Sequence, residues 1–321
     1  MVTVLRLRNR PLLFSSLSVL LLIVFSLLYL NLDQLIKRPP IVQLSYTNTP
    51  IPRQIWQIFF PPAGTTTLKT STLYADDWIS VAPGYTYTLV TDVEAQRLLN
   101  TTPSFAQRPE IAATYNALTN PALKSDFLRY LILLSRGGIY SDVDTKPIVR
   151  LEDWLPDPER RATARLIIAP EYDETQDPNL PDMHPVQFCQ WTIAAAPDHP
   201  VLERMVERAL TGLRDVAARQ GTSLDKVVVS GGETVKTTGP VAWTEVVFGV
   251  LQERDPSLTS YLDFAGIKAP RYYGDIVVLP AESFRADFFD ESGLGAWWRK
   301  DHRALVRHFF RGAWRTVKLP G

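Results

Sequence analysis

Residues 120–147, NPALKSDFLRYLILLSRGGIYSDVDTKP, constrain the fold more than any other stretch of the chain. They read as a helix, a glycine stop and a short strand that runs into two aspartates. Asn120 suits the helix N-cap. Pro121 suits the first helical position, where its missing N–H would have had no partner. Leu123, Phe127, Tyr130, Leu131 and Leu134 recur at helical spacing and form one apolar face. Asp126 and Arg129, three residues apart, are neighbours that both reach a site at the edge of that packed surface. Gly137 and Gly138 end the helix, because glycine accepts the left-handed backbone that a C-terminal turn needs. From Gly138 to Asp144 the pattern alternates. Ile139, Ser141 and Val143 face one way, and Tyr140, Asp142 and Asp144 the other.

Two carboxylates on one face repel unless a cation lies between them. Mg²⁺ and Mn²⁺ favour carboxylate oxygen and keep positions open for phosphate oxygens. An isolated Asp-x-Asp is a weak signal, since short acidic pairs on solvated turns are common. The helix, the double glycine and the apolar strand before it add weight. Together, Ser125-Asp126, Arg129-Tyr130, Gly137-Gly138, Tyr140 and Asp142-Val143-Asp144 resemble the donor-site segment of DXD-containing glycosyltransferases. The pattern is shared by glycosyltransferase family 32 and, more distantly, by the large clostridial glucosylating toxins.

The chain has 321 residues, 45% hydrophobic and 21% charged, enough for one substantial domain plus extras. Its 34 basic and 34 acidic side chains balance, so no global field attracts nucleic acid. Cys189 is the single cysteine, which excludes an internal disulfide framework and a cysteine-based zinc cluster. Leu12 to Leu32 carries no charge, and as a helix it would extend about 31 Å, matching a hydrocarbon core of roughly 30 Å. Arg6, Arg8 and Arg10 make the upstream flank the more basic one, and such a flank tends to stay cytoplasmic. The run is longer than the apolar region of a cleaved signal peptide, and no small-x-small cleavage site follows it. The expected organisation is a cytoplasmic tail (1–11), a type II signal anchor (12–32), a proline-rich stem (33–50) and a catalytic domain (51–321).

Further blocks extend the resemblance over about residues 51 to 316. Ile51-Pro52 through Trp56-Gln57 resembles the IPxxIWQ opening of family 32. Gln190-Trp191-Thr192 through His199-Pro200 resembles a QWTxxAxPxHP block, and Thr238-Gly239-Pro240 with Trp243-Thr244 a TGPxxWT block. Gly274-Asp275 through Phe284 resembles GDxxVLPxxxF. His308, Gly312 and Trp314 fit an HxxxGSW ending in which Ala313 replaces serine. These blocks resemble the fungal initiation-specific α-1,6-mannosyltransferases more than the sphingolipid mannosyltransferases of the same family. His199 reads as a helix-start or packing residue, and Gly239 as a place where backbone approaches a ligand. Val201 to Arg219 reads as an amphipathic helix with Val201, Met205, Ala209, Leu213 and Val216 inward. Asn100-Thr101-Thr102 is a glycosylation sequon, followed by Pro103.

The resemblance implies an α/β, GT-A-type Rossmann-like domain behind a single transmembrane helix in the Golgi membrane, with the catalytic part lumenal. It implies retaining transfer of mannose from GDP-mannose to a mannose hydroxyl of N-glycans in α-1,6 linkage. It also implies a sugar nucleotide and a glycan acceptor as partners, a possible mannosyltransferase complex, and no nucleic acid. Asp142, Asp144 and His308 would hold Mn²⁺ (or Mg²⁺). Asp126 and Arg129 would orient the donor and balance its charge, with Trp56, Gln57, Tyr140 and Trp314 also at the nucleotide. A non-catalytic or weakly active subunit of a mannan-polymerising complex is the alternative, as is a sphingolipid mannosyltransferase. Asp142-Val143-Asp144 also fits the DxD core of the haloacid dehalogenase-like phosphatase signature, whose second acidic pair has only Asp275 to offer.

Overall fold

The computed structural model describes residues 49–61, 74–172, 183–286 and 304–310. The tail, the 12–32 anchor and nearly all of the 33–50 stem lie outside these, as do Gly312, Ala313 and Trp314. Among the described residues no helix is long and apolar enough to cross a membrane.

The N-terminal half contains β1 (Gln54–Ile58), α1 (Ala75–Val81), β2 (Thr86–Val90), α2 (Asp92–Thr101), α3 (Pro103–Ala106), α4 (Pro109–Ala117) and α5 (Pro121–Arg136). Next come β3 (Gly138–Ser141), β4 (Thr145–Pro147), α6 (Pro158–Thr163), β5 (Leu166–Ile168), β6 (Pro170–Tyr172), β7 (Gln187–Phe188) and β8 (Thr192–Ala195). The remainder is α7 (Pro200–Arg219), α8 (Gly231–Thr237), α9 (Pro240–Arg254), β9 (Arg271–Tyr273), β10 (Ile276–Val278), β11 (Phe284–Ala286) and β12 (Val306–His308).

Seven strands form a mixed sheet in the order β2-β1-β3-β8-β5-β10-β9. β1 is parallel to β2 and β3, and β5 is parallel to β10, whereas β8 is antiparallel to both β3 and β5. It follows that β1, β2, β3, β5 and β10 all end at one edge. Strand alternation divides the apolar residues between two cores. Ile55, Ile139, Ile167, Ala194 and Val277 enter one, while Ile58, Tyr140, Leu166, Ile168, Ile193 and Val278 enter the other. Both faces of the sheet are therefore covered, the first partly by α1 and the second by α5, α7 and α9.

The helix α5 begins as its sequence dictates. The Asn120 side chain accepts from the backbone N–H groups of Ala122 and Leu123, at 2.9 and 3.3 Å. At the other end Gly137 has φ +64°, and a Cβ there would lie 2.6 Å from Pro197 Cδ and 2.8 Å from Pro52 Cδ. Conformation and crowding both demand glycine. The expected single apolar face is too narrow, however. Leu128, Ile132 and Leu133 are buried as well, because α5 lies between the sheet and α7. Asp126 and Arg129 are consequently interior residues, about 6% and 5% exposed, and not edge residues.

The strand expected to reach Asp144 also stops early. β3 ends at Ser141, and Asp142-Val143-Asp144 is a tight turn into β4, closed by the Thr145 N–H on the Asp142 carbonyl at 3.1 Å. β4 belongs to a second sheet, β11-β12-β4, in which His308 pairs opposite Thr145.

Candidate active site

The Asp142–Asp144 turn is fastened from behind. The Asp142 N–H donates to the Trp191 carbonyl at 2.8 Å, and its own carbonyl accepts from Gln57 Nε2 at 2.8 Å and Thr145 Oγ1 at 2.6 Å. Trp78 Nε1 donates to the Thr145 carbonyl, and Ser141 Oγ shares hydrogen bonds with Thr145 and Thr192. Most of these bonds draw on elements distant in sequence, so the turn is rigid before any ligand arrives. Its two carboxylates face the same way because the turn reverses the chain, not because a strand alternates.

Pairing of β12 with β4 delivers His308 to this turn. His308 Nε2 lies 2.9 Å from Asp144 Oδ1 and 3.9 Å from Asp142 Oδ2. The Phe309 N–H secures the arrangement by donating to the Asp144 carbonyl at 3.0 Å. One ligand atom from each of the three side chains lies within 4.8 Å of the other two. Two carboxylate oxygens and one imidazole nitrogen suit a divalent cation, and the imidazole inclines the set toward a transition ion over Mg²⁺. The donor set thus fits the metal that the sequence pattern calls for.

Arg129 stands beside the turn. Its Nη2 lies 2.9 Å from Asp126 Oδ1 and 3.5 Å from Asp142 Oδ1, and its Nη1 donates to the Gln190 carbonyl at 3.1 Å. The guanidinium covers the Tyr140 ring at 4.7 Å, while its Nε is buried with no hydrogen-bond partner among the described residues. Tyr140 donates its hydroxyl to Asp142 Oδ1 at 2.6 Å, and burial keeps that phenol well above its ordinary pKa, hence protonated. Asp126 accepts from Thr238 Oγ1 at 3.1 Å and Gln190 Nε2 at 3.4 Å. Burial pushes its carboxyl up to about 6, against the opposing pull of Arg129 and with a further push from Asp142.

Sequence-nominated residues occupy distinct places. Asp126, Arg129, Tyr140, Asp142, Asp144 and His308 come together in one cluster. Gln57 is fully buried, with Tyr87 donating to its Oε1 at 2.6 Å and its Nε2 committed to the turn. Trp56 is half-buried and its indole N–H donates to the Gly137 carbonyl at 2.8 Å. Trp314 lies outside the described residues. His199 is the N-cap of α7, its Nδ1 accepting from the Val201 N–H, as its position before Pro200 suggests. At Gly239 the expectation needs correcting: the backbone that approaches is the protein's own, since a Cβ there would lie 2.5 Å from Val235 Cα. The phosphatase reading fails too. Asp275 precedes β10, three places from β3 in the sheet, where it pairs with Arg254, Arg165 and His199.

Sequence reasoning did not nominate Gln190, Thr238 or Trp191 as site residues. All three lie within recognised blocks, but nothing local showed that those blocks meet Asp126 and Asp142.

Comparison with known proteins shows what the chain is similar to. Residues 69–161 match the family described as "Glycosyltransferase sugar-binding region containing DXD motif". Asp142, Asp144, Asp126 and Arg129 lie inside the matched segment. More particularly, the chain is 33% identical over 270 residues to the initiation-specific alpha-1,6-mannosyltransferase of Schizosaccharomyces pombe, covering 83% of this chain and 64% of that protein. It is 29% identical over 314 residues to the protein of the same description in Candida albicans, covering 87% and 77%. Among solved structures, the PaToxG glycosyltransferase is 16% identical, covers 65% of this chain and 73% of its own, and has a TM-score of 0.44. The chain therefore spans a little under two thirds of the length of the S. pombe relative.

Proposed function

We propose that this chain is a metal-dependent retaining mannosyltransferase of GT-A type, moving mannose from GDP-mannose to a mannose hydroxyl of N-glycans in α-1,6 linkage. The observation that carries the reading is the meeting of Asp142, Asp144 and His308 beside a buried arginine. Asp142, Asp144 and His308 would hold Mn²⁺. When bound, such a cation supplies Lewis-acid charge to the departing diphosphate. Arg129 adds a fixed positive charge in a water-poor setting, where it is worth far more than in water. Asp126 holds Arg129 in place through the 2.9 Å ion pair, while Thr238 and Gln190 hold Asp126. Tyr140 orients Asp142. Same-face attack assisted by the donor phosphate gives retention without a protein nucleophile. Similarity to the initiation-specific mannosyltransferases supports the choice of mannose and of linkage.

The test uses the full chain in detergent, with GDP-mannose beside UDP-sugars and Mn²⁺ present or chelated. Mn²⁺-dependent turnover of GDP-mannose is the expected result, lost in Asp142→Asn, Asp144→Asn and His308→Ala. The thermal midpoint of the Asn variants should be unchanged or raised without metal, because one of two neighbouring negative charges has gone. Undiminished transfer by these variants would overturn the reading. We also place Leu12 to Leu32 across the Golgi membrane with the catalytic domain lumenal. A C-terminal tag digested in sealed microsomes would reverse that topology.

A further inference from the structure

Glu171 lies at the same sheet edge as Asp142, on β6, just beyond the end of β5. In the sheet order β3-β8-β5 it stands across β8 from the Asp142–Asp144 turn. Strands are spaced about 4.8 Å apart, so the end of β5, just before Glu171, stands roughly 10 Å from β3 across β8. Trp191 links the two positions. Its carbonyl accepts from the Asp142 N–H at 2.8 Å, and its ring lies 4.6 Å from the His308 ring, centroid to centroid. Its indole N–H donates to Glu171 Oε1 at 3.1 Å. One tryptophan therefore fixes the turn, backs the third ligand of the cluster and anchors a carboxylate.

Glu171 is half-buried, and its carboxylate accepts from that indole at Oε1, while burial raises its pKa and the nearby His308 lowers it. It is not among the three residues whose ligand atoms converge. A carboxylate in this state repels a nucleoside diphosphate, so it does not serve the donor's phosphates. It suits a neutral, hydrogen-bond-donating group, for which an anchored anion is a strong acceptor. At a crevice receiving two sugars, that group is a hydroxyl.

We infer that Glu171, held by Trp191, forms part of the acceptor subsite and takes a hydrogen bond from a hydroxyl of the incoming sugar. The inference rests on the glycosyltransferase reading above. It assigns Glu171 a positioning role toward the acceptor and none toward the donor. Binding of the acceptor should weaken without it, while cleavage of the donor by water should not.

Glu171→Gln tests this in the full chain with Mn²⁺, GDP-mannose and a mannose oligosaccharide. The amide keeps the size and can still accept from Trp191, but it is a weaker acceptor than a carboxylate. The acceptor KM is expected to rise about 10-fold or more. Donor hydrolysis without acceptor, and GDP affinity in the presence of Mn²⁺, are expected to match the wild type. Glu171→Asp, which keeps the charge but shortens the reach, should recover part of the loss. An unchanged acceptor KM in Glu171→Gln would overturn the inference while leaving the transferase reading intact. A wild type that neither hydrolyses nor transfers would overturn both, which separates the two failures.

Discussion

Gln57 sits beneath the acidic turn with each end of its amide in use, and its position alters what its presence in the IPxxIWQ block means. The buried amide joins the Tyr87 hydroxyl to the Asp142 carbonyl, so its effect on a nucleotide passes through the turn. Gln57→Leu should lower stability by about 1–3 kcal/mol, since the Tyr87 hydroxyl loses its acceptor. Mn²⁺ affinity should fall with it, whereas a direct nucleotide contact would change GDP affinity at saturating Mn²⁺. Denaturant unfolding with metal and GDP titrations distinguishes these outcomes. Asp126 shows a second residue-scale effect. Its carboxyl titrates near 6 because burial outweighs the Arg129 ion pair. A folded pKa above the unfolded value means that the native state binds the extra proton, so this group's contribution is complete below the ordinary carboxylate range and is lost as pH rises through about 6. The stability of wild type relative to Asp126→Asn should therefore decline between about pH 4 and pH 6, as followed by unfolding across that range.

At the scale of elements, helices α5, α7 and α9 each begin with proline behind a cap. Asn120 and His199 cap with side chains, while Gly239 caps with backbone alone. Glycines in these elements differ in what they tolerate. At Gly249, inside α9, an added Cβ would meet nothing within 4 Å, so Gly249→Ala should stabilise by about 0.5–1 kcal/mol. Gly137→Ala should destabilise by about 3 kcal/mol or more, because it combines a positive φ with a clash on two prolines. Thermal midpoints of the pair measure the contrast. His199 adds a pH-dependent element: burial depresses its pKa, so the unfolded chain binds the proton that the native cap refuses. Stability should fall as pH drops below about 6.5, and His199→Asn, which caps without titrating in that range, should flatten the slope.

Across the whole molecule, five parallel strands end at one edge, and the second sheet joins the first there through the β3–β4 turn. The cluster of Asp142, Asp144 and His308 spans both, with two side chains on the β3–β4 turn and one on β12. A cation bound by the native state alone should stabilise the fold by about 2.7 kcal/mol at a concentration 100 times its Kd. The gain should appear as slower amide exchange in β4 and β12 and should disappear in His308→Ala. Equal exchange in β12 with and without Mn²⁺ would separate that strand from the site.

Signals that act over a few residues were readable in the chain itself. The Asn120 cap, the glycine stop, the inward stripe of 200–219 and the cap role of His199 all depend on neighbours within one or two helical turns. The acidic pair stands out in the chain for the same reason, although its presentation on a turn does not. That turn is imposed by hydrogen bonds with Gln57, Trp78, Thr145 and Trp191, three of which belong to distant parts of the chain. His308 was nominated through family resemblance, but only the β4–β12 register brings its imidazole 2.9 Å from a carboxylate 164 residues earlier. Burial of Asp126, its contacts with Gln190 and Thr238, and the place of Glu171 follow from strand order and helix packing. Those depend on contacts between residues far apart in sequence, which no local periodicity encodes.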